Sequence, residues 1–418
     1  MSQPASVLLI YTGGTIGMLA DPRSGTLRPM DLSHLEDQVP ELERVNVRLE
    51  SVAFEKPIDS SDMRPADWLR IARIIGDRYA EFDGFVVLHG SDTMAYTASA
   101  LSFLLEGLGK PVILTGSQLP IGTIRTDAKE NLITAIEIAA ARDTQGAPMV
   151  PEVAVYFEYS LYRGNRTVKV HAERFEAFRS PNYPKLAEAG VHLRYAQGAI
   201  LPLRTGPLHV HEKMDDRVGV IRLFPGIRPD WVRHTLAMPE LRAVVLTTFG
   251  SGNGPTDPDF IAALRKARER GIVLVNATQC IGGRVEQGRY TTSQAFQQLG
   301  VLSAGDMTVE AAVTKLMFLL GQGLGGEELN ARFGEALCGE LTPLLTKVPS
   351  FAAEREDCPS GPSDGGGPSE GRIASLRFLV QLIRSEQAPA PSLNKKAAFR
   401  RPSHWRRERD SNPRYPFR

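Results

Sequence analysis

Four segments of this 418-residue chain carry side chains able to do covalent chemistry. Tyr11-Thr-Gly-Gly-Thr-Ile-Gly17 and His89-Gly-Ser-Asp-Thr-Met-Ala-Tyr96 each follow an apolar run and open into glycines and hydroxyls. Glycine permits tight turns and close backbone approach, so the first segment presents the Thr15 hydroxyl beside backbone N–H groups suited to an oxyanion. The bland alternative there is a strand-to-helix turn with threonine as its cap. In the second, Ser91 and Asp92 set a hydroxyl beside a carboxylate, with Thr93 as N-cap of a following helix; the alternative is that Asp92 caps that helix too. Asp59-Ser-Ser-Asp-Met63 offers hydroxyls and carboxylates that suit the ends of a small zwitterion, or a simple capping turn. Tyr162-Arg-Gly-Asn-Arg-Thr-Val-Lys169 ends in a lysine. Such a group accepts protons when burial disfavours its charge, and is otherwise a solvated cation. Together these suggest a hydrolytic site.

The elements around these segments supply the positioning. Apolar runs at Val7–Tyr11, Gly84–His89, Pro111–Thr115 and Val153–Phe157 read as buried parallel strands. Between them, helical periodicity covers Pro65–Tyr79, Thr93–Leu108 and Asp127–Ala141. Asp127 and Glu130 have capping-box spacing, and Gly109-Lys-Pro111 reads as a helix stop. Alternation of this kind predicts an α/β fold, in which loops at the carboxyl ends of strands meet. From about Lys185 to Lys213 the periodicity fades. A second α/β set follows, with strands at Gly219–Leu223, Leu241–Thr247 and Gly271–Asn276 and helices near Asp257–Arg270 and Thr308–Gly321. The fold class expected is therefore two α/β domains: a larger N-terminal one with a mostly parallel sheet flanked by helices, and a smaller C-terminal one. Boundaries fall at 1–190, a linker at 191–212, 213–350, and a flexible tail at 351–418.

Composition limits the alternatives. The chain is 42% hydrophobic and 23% charged, ordinary for a globular protein. Net charge is +1, but Ser392 to Arg418 holds nine Lys/Arg against Glu408 and Asp410, a local +7 that leaves −6 on the first 391 residues. That main body has no basic face for nucleic acid. The Gly/Pro/Ser-rich run near Cys358 reads as a linker, Arg372–Ser385 as a short amphipathic helix, and the basic end as an appendage without assigned activity. Cys280, Cys338 and Cys358 are widely spaced and odd in number, which favours a reducing compartment. The first residues have no signal-peptide pattern, and their apolar stretch is too short to span a membrane. No GxSxG elbow, GxxxxGK[ST] loop, HExxH or paired-ligand pattern occurs, and Gly250-Ser-Gly-Asn-Gly254 does not match GxGxxG.

In this order the segments resemble the asparaginase/glutaminase family, specifically its cytoplasmic type I branch. The matching strings are TGGTIGM at 12–18, DSSDM at 59–63, DGFVVLHGSDTMAYTASALSFLLE at 83–106, PVILTGSQLP at 111–120, LYRGNRTVKVHAERFEAFRSPN at 161–182 and GDMTVEAAVTKL at 305–316. The resemblance covers about residues 5–345. It implies hydrolysis of L-asparagine to L-aspartate and ammonia through an acyl-threonine intermediate, with no cofactor and no metal. By the same resemblance Thr15 is the nucleophile, Ser91, Asp92 and Lys169 relay protons, and Asp59, Ser60 and Ser61, with Asp92, hold the substrate's amino and carboxyl groups. It implies a cytoplasmic homodimer or homotetramer that meets neither nucleic acid nor membrane. Two departures stand out. Ser91 replaces the family's threonine and lacks the methyl that restricts χ1. The stretch Leu19–Pro29 has no tyrosine, Thr26 falling about where one is expected, so the group that activates Thr15 stays open. The effector arginine of part of this branch falls near Thr247, which cannot grip a carboxylate in bidentate fashion, although Cys280 lies in a matching QC segment. The competing expectations are a glutaminase-asparaginase of broader amide preference and a catalytically weak amino-acid-binding sensor.

Overall fold

The computed structural model describes residues 4–20, 27–29, 39–288 and 291–343. Thr26, Cys358, the Arg372–Ser385 helix and the 351–418 tail named above lie outside the described residues. Everything described belongs to one compact unit, Met1–Thr346.

Eight strands form the larger sheet: β1 Ala5–Tyr11, β2 Val47–Ala53, β3 Gly84–Leu88, β4 Val112–Thr115, β5 Val153–Phe157, β6 Ser160–Arg163, β7 Ala187–Ala189 and β8 Leu193–Tyr195. Their spatial order is β8-β7-β6-β5-β4-β3-β1-β2. β2, β1, β3, β4 and β5 run parallel, and β6, β7 and β8 continue antiparallel. Strands β3, β4 and β5 are buried at every residue, as continuous apolar runs covered on both faces must be. From β1 the chain goes to β2 on one side and β3 on the other, so strand order reverses between β1 and β3. In an open parallel sheet that switch point is where ligands bind.

Helices α1 Pro65–Asp77, α2 Met94–Leu104 and α3 Ala128–Ala140 connect these strands. The α2 sequence MAYTASALSFL is almost entirely buried, because it lies between the larger sheet and a helix of the second half.

That second half has a four-stranded parallel sheet, in the order β9 Val218–Arg222, β10 Ala243–Thr248, β11 Val273–Thr278 and β12 Leu302–Ser303. Its helices are α4 Pro229–Leu236, α5 Pro258–Glu269, α6 Thr291–Gln298, α7 Val309–Gly321 and α8 Gly326–Gly334. Pro258 opens α5, and the Asp257 side chain accepts from the N–H groups of Asp259 and Phe260. Helix α7 packs on α2, with the Phe103 and Phe318 rings stacked 5.9 Å apart. One apolar core therefore runs from Val87 and Leu114 through Leu101 to Leu316 and Val245. Among the described residues no helix is long and apolar enough to cross a membrane.

Several local expectations need correction. Asp127 is the N-cap residue of α3 without making a side-chain cap. Its carboxylate takes the backbone N–H groups of Gln118 and Leu119 instead, and Glu130 takes the Tyr156 and Thr134 hydroxyls. Thr93 likewise sits at the N-cap of α2 with no cap bond, its hydroxyl donating to the Ser60 carbonyl at 2.7 Å. Helix α2 stops at Leu104, before Gly109, because Leu105–Glu106 pairs antiparallel with His209–Val210. The segment expected as an unpatterned connector contributes β7 and β8. Three-residue strands are too short to show a period.

Candidate functional site

The site forms where the loops after β1, β2 and β3 meet. Thr12 directly follows β1 and is fixed to β3: its N–H and hydroxyl both donate to the Leu88 carbonyl, each at 3.0 Å. Its own carbonyl takes the Ile58 N–H at 2.8 Å. Gly13 and Gly14 then run at φ 138° and 89°, a region that favours glycine. A Cβ on Gly13 would fall 2.1 Å from the Ile58 carbonyl oxygen, and one on Gly14 would fall 2.5 Å from the Gly90 nitrogen. A Cβ on Gly90 would meet the Ser60 hydroxyl at 2.5 Å. The glycines are there because three loops touch backbone to backbone. Thr15 opens a short 3₁₀ turn, Thr15–Gly17, directly after the glycine that packs on Gly90, and it is half-buried.

Behind the second loop a hydrogen-bonded chain fixes the turn. The Trp68 indole N–H donates to the Thr97 hydroxyl at 2.9 Å. That hydroxyl's own proton is then free for His89 Nε2, also at 2.9 Å, leaving Nδ1–H to donate to the Gly90 carbonyl at 2.7 Å. Every member finds a partner only if His89 is a neutral imidazole protonated on Nδ1. Burial supports this state, pushing the His89 pKa down to about 4.

Ser91 and Asp92 follow, and Lys169 reaches them from a distant segment. The Lys169 ammonium lies 2.7 Å from Ser91 Oγ and 2.7 Å from Asp92 Oδ1. Lys169 sits on a two-residue strand paired with Phe178–Arg179. The turn before it is anchored, with Asn165 Nδ2 donating to the Cys338 carbonyl at 3.0 Å and Arg166 Nε to the Gly339 carbonyl at 2.7 Å. The Lys169 side chain is 16% exposed and that of Asp92 67%, so the ammonium is largely covered while the carboxylate reaches solvent. Asp59, exposed, accepts from the N–H and the hydroxyl of Ser61, both at 2.9 Å. Those two bonds hold its carboxyl below the usual carboxylate range. Ser60 is buried against Gly90.

The expected site residues thus gather at one edge of the larger sheet. Ser91, Asp92 and Lys169 touch directly, and the Asp59–Ser61 and Thr12–Thr15 loops pack on their neighbours. Tyr11 is close in sequence to Thr15, but its phenol donates to the Gly17 carbonyl at 3.1 Å and burial pushes its pKa up to about 12. It is neutral and already engaged. One residue given no role from sequence is Gln118, whose amide oxygen lies 3.2 Å from Ser91 Oγ. It follows β4, so the rule that singled out the loops after β1 and β3 extends to it.

A parallel sheet whose switch point carries a hydroxyl–lysine–carboxylate cluster defines an α/β protein built for polar, small-molecule chemistry. Two family models match the chain: the asparaginase N-terminal domain over residues 6–201 and the glutaminase/asparaginase C-terminal domain over 217–333. L-asparaginase 1 of Escherichia coli (strain K12) is 45% identical over 350 residues, covering 82% of this chain and 99% of its own. The 60 kDa lysophospholipase of Homo sapiens is 41% identical over 408 residues, 92% of this chain and 67% of its own. Among solved structures, L-asparaginase I from Vibrio cholerae superposes with a TM-score of 0.74 at 42% identity, covering 81% of this chain and 99% of that one. The chain belongs to the asparaginase/glutaminase family.

Proposed function

We propose that this protein hydrolyses L-asparagine to L-aspartate and ammonia through an acyl-threonine intermediate on Thr15. The observation that carries the reading is Lys169 within 2.7 Å of both Ser91 Oγ and Asp92 Oδ1, on a loop packed against the backbone beside Thr15. The Thr15 oxygen attacks the side-chain carboxamide, and as the C–O bond forms its proton passes to Ser91 Oγ while the Ser91 hydroxyl proton moves on toward the amide nitrogen, the Lys169 ammonium stabilising the serine oxygen throughout. The C–N bond then breaks, and the nitrogen takes a proton to leave as ammonia. Water repeats the sequence on the ester, releasing aspartate and restoring the Thr15 hydroxyl. Asp92 keeps the ammonium of Lys169 oriented. Asp59, Ser60, Ser61 and Asp92 receive the substrate's α-amino and α-carboxyl groups, the carboxylates suiting the first and the hydroxyls the second. No step requires a cofactor.

The same reading divides the chain at 1–190, 191–212 and 213–350; the family matches agree on two domains but put the break later, between 201 and 217, and β8 at Leu193–Tyr195 belongs with the larger sheet. It places the chain in the cytoplasm, which suits the free Cys280 and Cys338, as a homodimer or homotetramer.

Purified full-length chain is expected to release ammonia from L-asparagine faster than from L-glutamine, and Thr15→Ala to abolish turnover at unchanged Tm. Faster glutamine turnover would move the reading to a glutaminase-asparaginase. Tight asparagine binding without ammonia release would make the protein a sensor.

A further inference from the structure

Serine in a proton relay has a geometric weakness. With one heavy atom on Cβ besides the backbone, its χ1 has three open wells, whereas a β-branched residue is stiff. Something else must hold Ser91 Oγ at the Lys169 ammonium.

Gln118 is placed to do so. Its amide nitrogen donates to two acceptors that cannot be mistaken, the carbonyls of Ala172 at 3.2 Å and Arg174 at 3.0 Å. That fixes which end of the amide is oxygen, and the oxygen faces Ser91 Oγ at 3.2 Å. Lys169 can only donate, so Ser91 accepts from Lys169 and directs its own proton to Gln118. With a donor on one side and an acceptor on the other, both the χ1 and the hydroxyl rotor are determined. The base of Gln118 is itself held: its N–H and that of Leu119 bond the two oxygens of Asp127 at 2.9 and 3.1 Å. Asn131 in turn ties Asp127 to the Gly116 carbonyl.

We propose that Gln118 is the positioning residue for Ser91, clamping a serine rotamer that β-branching would otherwise hold. The inference rests on the reading of Ser91 as a relay residue. It assigns Gln118 a kinetic role without contact to substrate: the clamp sets how often Ser91 is aligned with Lys169, and so acts on kcat more than on KM.

A double-mutant cycle tests this. Gln118→Met, close in volume with no hydrogen-bonding amide, is expected to lower kcat about tenfold, the effect of one neutral hydrogen bond, with KM for L-asparagine little changed. Gln118→Asn, which keeps the amide but shortens its reach, is expected to show the same split. Ser91→Thr supplies the missing branch, so adding it to Gln118→Met should restore most of the rate. Equal losses from Gln118→Met in the serine and threonine backgrounds would overturn the clamp and leave Gln118 a support for the 172–174 loop. Ser91→Ala separates the two levels. A near-normal rate in Ser91→Ala would overturn the relay reading and the clamp with it. A large loss in Ser91→Ala together with additive effects in the cycle would overturn the clamp alone.

Discussion

Both sheets end at their carboxyl edge in loops of glycine, threonine and small polar residues, yet among the described residues only the larger sheet's edge brings a hydroxyl, a lysine and a carboxylate into contact. After β10 the chain runs Gly250-Ser-Gly-Asn-Gly254, no less glycine-rich than the loop that presents Thr15. There the polar side chains bond back to the scaffold: Thr248 to Asn276 at 2.7 Å, Asn276 to the Gly252 carbonyl at 2.9 Å, Thr278 to the Gly250 carbonyl at 2.5 Å. After β3 they bond to one another across segments far apart in sequence, Lys169 to Ser91 and Asp92. Glycines and hydroxyls at a strand end make a place where chemistry is possible. A charged side chain imported from elsewhere turns that place into a site.

Lys169→Met cuts deepest into this contrast. It removes the imported charge, and kcat for L-asparagine is expected to fall by about 10³, within the range seen for a lost proton-transfer group. Tm should be little changed, since the Asp92 partner is largely exposed. A drop of less than tenfold at saturating substrate would mean that the hydroxyls act without the ammonium, and the distinction between the two edges would collapse.

The two edges also differ in their response to acid. The network behind Ser91 contains His89, neutral in the fold with its pKa pushed down to about 4 from an ordinary 6.5 by burial; the network of Thr248 and Asn276 has no titrating member. Unfolding frees His89 to take a proton below its ordinary pKa, which the folded state resists. The stability contribution is therefore complete above pH 6.5 and lost progressively as pH falls toward 4, by up to about 3 kcal/mol. Urea unfolding between pH 7 and pH 4 should show this slope in the native chain and a shallower one in His89→Gln. Equal slopes would assign the acid sensitivity to other groups.

Much of this was legible in the sequence because its physical signal is local. Continuous apolar runs such as Gly84–Leu88 mark buried parallel strands, and Pro258 after Asp257 marks a helix start. Strand β2, VRLESVA, was missed: it lies at the sheet edge with alternating charges, and no unbroken apolar run announces it. The capping box at Asp127 and Glu130 was misread because tertiary partners, the N–H groups of Gln118 and Leu119 and the Tyr156 hydroxyl, take those carboxylates instead. At the site, the residue types of Ser91, Asp92 and Lys169 were visible locally, while their meeting was expected only through the family resemblance. Seventy-seven positions separate Asp92 from Lys169, and only the antiparallel turn beyond β5 brings them together. Gln118 carried no local signal at all, its role resting on the carbonyls of Ala172 and Arg174.

The glycines sharpen the comparison at smaller scale. Gly14→Ala drives a Cβ to 2.5 Å from the Gly90 nitrogen, where neither backbone has a flexible end to yield. The Thr15 and Ser91 loops must part, and kcat/KM is expected to fall about 10²-fold from misplacement alone.

Gly250 is glycine for a different reason. Its φ is 51°, but an added Cβ would find nothing nearer than the Asn253 side-chain nitrogen at 3.9 Å. Gly250→Ala therefore meets only the left-handed backbone penalty, about 1 kcal/mol, partly offset by the lower chain entropy of unfolded alanine. A small fall in Tm with kcat and KM unchanged is the expected result. A kinetic defect comparable to that of Gly14→Ala would show that the second edge takes part in turnover, and that its hydrogen bonds to the scaffold hold a functional loop in place.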